Sequence, residues 1–186
     1  MRRPDVPAAN LITREDSVLV VIDVQEKLMP VIANRERVLE NVVRLLRFAE
    51  IIGLPVILTE QEKLGDTLSD VLEARPNLQA IRKLDFDCFG CQEFVDEIHR
   101  LGKRTLILAG VETHICVAQT ALHAAPDHIV HVVSDATSSR AEHNWRVALD
   151  RMRRAGVVIT STEMVIYELL QRAGTDEFRS VLPLVK

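Results

Sequence analysis

The sequence lacks any apolar run approaching the roughly 20 residues that a membrane-spanning helix needs. It lacks a G-x-G-x-x-G or P-loop spacing, so nucleotide binding finds no support. It has no excess of positive charge: 23 Lys and Arg stand against 27 Asp and Glu, and a net charge of -4 is no footprint for nucleic acid or an anionic membrane. Internal repeats, low-complexity tracts and linkers are also missing. Met1-Arg2-Arg3-Pro4-Asp5 is basic, but no apolar stretch follows it, and Asp5, Asn10, Arg14, Glu15 and Asp16 interrupt what comes next. The expectation is no signal peptide and a cytoplasmic location. Cysteine is scarce. The three present are Cys88, Cys91 and Cys116, and an odd count without an export signal argues for free thiols.

What is present suits one soluble globular domain with a sizeable core: 186 residues, 47% hydrophobic and 27% charged. Residues 1–16 read as a polar N-terminal arm and residues 17–186 as the domain. Ser17 to Ile22 is an unbroken aliphatic run ending in Asp23, which fits a strand buried on both faces of a parallel sheet. Val38, Val42, Leu45, Leu46, Ala49 and Ile52 recur at helical spacing before Gly53. Short strands follow at Pro55–Thr59 and Ala80–Lys83, with an irregular polar stretch and a helical turn near Leu68–Ala74 between them. Glu93–Leu101 is a helix closed by Gly102, Arg104–Ala109 a strand, and Thr113–Ala125 a helix ended by Pro126. His128–Val133 is a strand, Ser134–Arg140 a loop rich in cap residues, Glu142–Ala155 a helix and Val157–Thr160 a strand. Helices through Leu170 and from Thr175 complete the chain. Strands alternating with helices predict an α/β fold, a Rossmann-like three-layer α/β/α domain with a parallel sheet and right-handed crossovers.

In such a sheet the C-terminal strand ends share one edge, where binding groups gather. Asp23 ends the first strand, Lys83 ends the third, and Cys116 follows the fourth at the head of its helix. A thiol there lies near unpaired backbone N–H groups and the positive helix end, and a nearby ammonium would further favour thiolate. A carboxylate can take the thiol proton and return it to a leaving group. Backbone N–H groups of Cys116 and of the Gly110-Val111-Glu112 turn could bind an oxyanion. The grouping predicts attack by sulfur on a carbonyl-type carbon, then hydrolysis of a covalent intermediate. The bland alternatives are a packed hydrophobic thiol, a turn aspartate and a surface lysine.

At these residues the chain resembles the isochorismatase-like cysteine hydrolase superfamily, through Val20-Val21-Ile22-Asp23-Val24-Gln25, Lys83 followed by Phe86, Gly110 to Val117, and Asp135 to Arg140. The resemblance runs from about Ser17 to Thr162. It implies a six-stranded parallel sheet, an Asp-Lys-Cys triad at Asp23, Lys83 and Cys116, and a non-proline cis peptide between Val111 and Glu112. That peptide would aim the Glu112 N–H, with that of Cys116, at the oxyanion. The resemblance also implies a homo-oligomer, a dimer or larger. Nicotinamidases of the superfamily carry Asp and His metal ligands after the second strand. Here Thr59 to Gly65 holds no His, so no metal and no other cofactor is expected, and nicotinamide is disfavoured. The nucleophilic cysteine counts against isochorismate. The Thr-Glu-Gln stretch and the Ser-Ser-Arg loop look most like the isochorismatase-domain-containing subgroup.

Gln25, Leu28, Phe86 and His114 are candidate pocket residues for a small-molecule substrate, and Thr113 is a candidate N-cap. Phe89 is a second aromatic after Lys83. Cys88 and Cys91 form a C-x-x-C, which leaves a thiol redox protein as one competing class. A non-catalytic binding or scaffold subunit with the same fold is another. His99, His123, His128, His131 and His143 show no ligand spacing.

Overall fold

The computed structural model describes residues 11–186. Its elements in order are β1 (Ser17–Ile22), α1 (Arg35–Ile52), β2 (Val56–Gln61), α2 (Ser69–Ala74), β3 (Ala80–Lys83), α3 (Gln92–Leu101), β4 (Thr105–Val111), α4 (Ala118–Ala124), β5 (Ile129–Ser138), α5 (Glu142–Arg154), β6 (Val158–Thr160), α6 (Thr162–Leu170) and α7 (Asp176–Val185). The six strands form one sheet in the order β3-β2-β1-β4-β5-β6, and every pairing is parallel.

Alternation along the strands divides the core into two apolar layers. Leu19 and Val21 of β1, with Ile107 and Ala109 of β4, pack under α1, α6 and α7. Val18, Val20 and Ile22, with Leu106 and Leu108, pack under α3, α4 and α5. Both faces of the central strands are covered, which explains why all six residues of β1 are buried although none alternates with a polar residue between Val18 and Ile22. The apolar stripe predicted on α1 is the buried one. Gly53 ends that helix in the left-handed region at φ 67°, donating its N–H to Ala49 and Glu50.

The order of strands reverses between β1 and β4, which are neighbours: the chain runs from β1 outward to β2 on one side and returns to β4 on the other. At the end of β1, Ile22 is in register with Thr59 of β2 and with Gly110 of β4. Asp23, one residue later, therefore emerges between the two. The approach to β4 is close enough to require glycine. A Cβ on Gly110 would lie 2.0 Å from the carbonyl oxygen of Ile22, and Gly110 has φ 107°.

Four elements differ from the sequence reading. β2 and β4 each run two residues further, to Gln61 and Val111. β5 continues through Ser138 and takes in most of the expected loop, with a register shift against β4 between Leu108 and Gly110. Its polar residues are satisfied there: Ser134 donates to the Thr160 carbonyl, Ser138 to the Ala33 carbonyl, and Asp135 accepts from the N–H and hydroxyl of Thr162 at the start of α6. The helix expected from Thr113 begins instead as a wide turn over Thr113–Val117, closed by a bond from Val117 N–H back to Glu112 O, five residues earlier. Of the expected arm, residues 1–10 lie outside the described residues. Ile12 is buried, and Arg14 pairs with Glu177 of α7 through two bonds of 2.8 and 2.7 Å.

Candidate active site

Asp23 holds its backbone in the left-handed region at φ 54°, unusual for a residue with a Cβ, and its N–H donates to Thr59 O. The carboxylate is wholly buried. Thr59 Oγ1 donates to Oδ1 at 2.8 Å and the Lys83 ammonium donates to Oδ2 at 2.8 Å. Lys83 comes from β3, two strands away, and crosses beneath Gln61. Its other two ammonium hydrogens have acceptors as well, Gln61 Oε1 at 2.8 Å and the Asp85 carbonyl at 3.3 Å. Both side chains of the ion pair are 0% exposed. Burial alone would lower the lysine's pKa. The Asp23 carboxylate, by its charge and its hydrogen bond, outweighs it and holds the ammonium above its ordinary value.

Cys116 lies in the wide turn after β4, 5% exposed, with Asp23 and Lys83 near enough for their charges to act on its thiol. The peptide between Val111 and Glu112 is cis. The sequence reading expected an ammonium and a helix end to favour thiolate. The structure corrects this. Burial pushes the Cys116 thiol well above its ordinary range and the Asp23 charge adds to the rise, while Lys83 offsets only part of it. The resting arrangement is a neutral thiol facing a carboxylate that an ammonium holds in place.

Glu112, at the cis bond, has its carboxylate bound by Arg140: the Arg140 backbone N–H donates at 2.8 Å and the guanidinium reaches Oε1 at 2.7 Å. Burial opposes ionisation, but these bonds outweigh it and hold the carboxyl below its usual range. Arg140 itself is 59% exposed. Thr113 is not the cap that was expected. Glu112 occupies the cap position without a side-chain bond, and the Thr113 hydroxyl is buried with no partner among the described residues.

The remaining candidates sit around this centre in different ways. Gln25 is buried and fully engaged: its amide accepts from Gln61 N–H and donates to the carbonyls of Gln61 and Gly65. Leu28 packs in the apolar layer beneath α1. Phe86 is 54% exposed on the turn after Lys83. The His114 ring is 2.9 Å from Ser139 Oγ and 3.4 Å from Asn144 Nδ2, bonded to β5 and α5 neighbours, with no bond to Asp23, Lys83 or Cys116. Phe89 stacks on His123. All three cysteines are free. Cys88 is fully buried, and burial pushes its thiol up to about 12. Cys91 Sγ faces the Arg82 carbonyl at 3.6 Å. Among the described residues no three His, Cys, Asp or Glu side chains gather as a metal site, and no helix is long and apolar enough to cross a membrane. The groups that sequence reasoning missed are Thr59, Gln61 and Arg140. Only a two-residue extension of β2 would have put Gln61 beside the end of β3.

The isochorismatase domain profile matches residues 17–164. The chain belongs to the isochorismatase family. This is a hydrolase family, and the six-stranded parallel sheet is its fold. Among curated relatives, the secreted isochorismatase effector Isc1 of Phytophthora sojae is 35% identical over 91% of this chain and 84% of its own length. The isochorismatase domain-containing protein 2A of Mus musculus is 34% identical over 92% of this chain and 84% of its own. Among solved structures, MAR1 ribonuclease of Caenorhabditis elegans superposes with a TM-score of 0.88 at 30% identity, covering 95% of this chain and 92% of that one. The YcaC gene product of Escherichia coli, described as an octameric hydrolase of unknown specificity, gives 0.87 at 26% identity, covering 98% and 92%.

Proposed function

We propose that the chain is a cysteine hydrolase that cleaves a small amide, carbamoyl or ester substrate through Asp23, Lys83 and Cys116. The observation that carries the reading is the wholly buried Asp23–Lys83 ion pair at 2.8 Å, with the Cys116 thiol near enough to feel both charges. Asp23 takes the thiol proton as sulfur attacks the carbonyl carbon. The C–S bond forms and the carbonyl π pair moves to oxygen, where the N–H groups of Glu112 and Cys116 receive it. Collapse breaks the bond to the leaving group, which takes the proton back from Asp23. Water then attacks the thioester, giving its proton to Asp23, and the thiol is regenerated. Lys83 has all three ammonium hydrogens committed to Asp23, Gln61 and Asp85. Its part is to hold the carboxylate aimed and to balance its charge. The reading is metal-independent because the segment from Thr59 to Gly65 offers no histidine.

Homo-oligomeric assembly and a cytoplasmic location belong to the same proposal. The octameric state given for the E. coli neighbour supports the first. The word "secreted" in the P. sojae relative's name makes the second a matter for localisation by tagging. A second reading, ribonuclease, is favoured only by the name of the C. elegans neighbour. It sits poorly with a net charge of -4 and a thiol that is 5% exposed.

The test is a hydrolysis screen of small amides, carbamoyl compounds and esters, with an RNA arm, run beside Cys116→Ala and read by intact mass. The expected result is turnover with an acyl adduct on the Cys116 peptide, both absent in Cys116→Ala. RNA cleavage that survives Cys116→Ala would favour the ribonuclease. No turnover and no adduct from the whole panel would leave a binding or scaffold protein.

A further inference from the structure

We infer that Gln61 is a positioning residue whose neutral amide keeps the buried Asp23–Lys83–Cys116 centre at zero net charge. The inference rests on the hydrolase reading. Gln61 is the last residue of β2, beside the last residue of β3, in register with Lys83 itself. Its Oε1 accepts from the ammonium at 2.8 Å, the same distance as Asp23 Oδ2. Its Nε2 donates to the Leu84 carbonyl at 2.6 Å, which fixes the amide with oxygen toward the lysine. Its backbone is fixed in turn by Gln25, whose side chain bonds both the N–H and the carbonyl of Gln61. The order of support is therefore Gln25, Gln61, Lys83, Asp23, Cys116. A residue expected to line the pocket, Gln25, acts here two steps behind it.

The charge count explains why an amide occupies this place. Asp23 carries one negative charge, Lys83 one positive, and the thiol none. Transfer of the thiol proton to Asp23 leaves the sum at zero, so the step needs no counterion in a place that water scarcely reaches. A carboxylate at position 61 would share the ammonium between two anions and make the centre negative, which disfavours thiolate. Gln61 also lines a polar surface cavity of about 360 Å³ together with Glu60, Glu62, Lys63, Asp66 and Arg82, whose charges are mixed. It is the wall between that cleft and the buried ammonium.

The test uses the full chain and iodoacetamide as the probe, with labelling of the Cys116 peptide followed by mass spectrometry at pH 8. Gln61→Glu is expected to slow Cys116 labelling at least about tenfold, equivalent to one pKa unit. Gln61→Met removes the acceptor but adds no charge, and its rate is expected to stay at least about threefold above that of Gln61→Glu. Adding Asp23→Asn to Gln61→Glu returns the centre to neutrality. The double variant is expected to melt above Gln61→Glu alone, or to be soluble where the single variant is not. A Gln61→Glu rate within about threefold of wild type, a Met variant as slow as the Glu variant, or a double variant no more stable than the single would each overturn the inference. No turnover and no acyl adduct in the substrate screen would sink the hydrolase reading by itself. The melting comparison does not use the thiol, so the two failures are separable.

Discussion

Replacing Lys83 by methionine removes one partner of an ion pair whose side chains are both 0% exposed, at a separation of 2.8 Å. Two opposing magnitudes decide the outcome. Methionine fills a similar volume and avoids the cost of burying an ammonium, but among the described residues it leaves the Asp23 carboxylate with Thr59 as its one remaining side-chain hydrogen-bond donor. Breaking a buried pair on one side costs about 3–5 kcal/mol, against less than about 1 kcal/mol for an exposed pair. For a chain of this size each kcal/mol moves the melting temperature by about 2–4 °C, so Lys83→Met should melt roughly 6–20 °C lower at pH 7. Asp23→Asn added to Lys83→Met removes the stranded charge and should recover most of the loss. Arg154→Ala, at an exposed pair with Asp150, is the control and should change little. The pair also sets an alkaline limit. Lys83 titrates above its ordinary value in the fold, so its contribution is complete below about pH 10.4, where the unfolded lysine titrates, and is lost as pH rises through the higher folded value. Lys83→Met lacks that alkaline loss. Urea unfolding at pH 7 and across the alkaline range measures both effects. A Lys83→Met variant within about 1 kcal/mol of wild type at pH 7 would refute the buried, ionised pair.

Gly110→Ala should be among the most damaging single-methyl additions in the chain. Its Cβ would stand 2.0 Å from the Ile22 carbonyl oxygen at φ 107°, and overpacking of about 1–3 kcal/mol adds to about 1–2 kcal/mol for the backbone region. A loss below about 1 kcal/mol in urea unfolding would show that β1 and β4 are further apart than described. Arg140→Met strips the guanidinium from the Glu112 carboxylate while the backbone N–H of residue 140 remains. Because Arg140 is 59% exposed and water can replace part of what is lost, the expected cost is about 1–2 kcal/mol at pH 7. Glu112 titrates below its usual value, so the bond stabilises above about pH 4.3, where the unfolded carboxyl titrates, and is lost as pH falls through the lower folded value. The gap between wild type and Arg140→Met should close over that acid range; a gap independent of pH would refute the ionised pair.

The sheet was legible because its signal is local and repeated. Val18 to Ile22 is apolar at every position, α1 carries a stripe at helical spacing, and Gly53 and Gly102 stop their helices as predicted. The parallel α/β pattern put the strand ends on one edge, but that β1 and β4 are neighbours came from the structure. What stayed hidden depends on partners distant in sequence. Ser134 to Ser138 reads as loop because its residues favour caps and turns, yet Ser134, Asp135 and Ser138 find specific partners, and the strand continues. Gln25 and Gln61 have no sequence signal as a pair, since an amide that bonds another residue's backbone carries no spacing rule. The thiol's direction of shift was misjudged for a related reason. An ammonium and a helix end are visible in sequence, whereas the degree of burial and the distance to the Asp23 carboxylate are not.

That corrected direction bears on the chemistry. With the thiol held neutral and the carboxylate ionised, the nucleophile is not stored as thiolate but made at the moment of attack, as Asp23 takes the proton. Such a site should be sluggish toward simple alkylating reagents at neutral pH, because these give Asp23 nothing to return its proton to. It should be fast only toward substrates that place a carbonyl at the Glu112 and Cys116 N–H groups and a leaving atom near Asp23. The Asp23–Lys83 pair, the Gln61 amide and the near exclusion of water then act together. They keep the proton between sulfur and carboxylate, with no net charge appearing in a buried centre at any stage of the transfer.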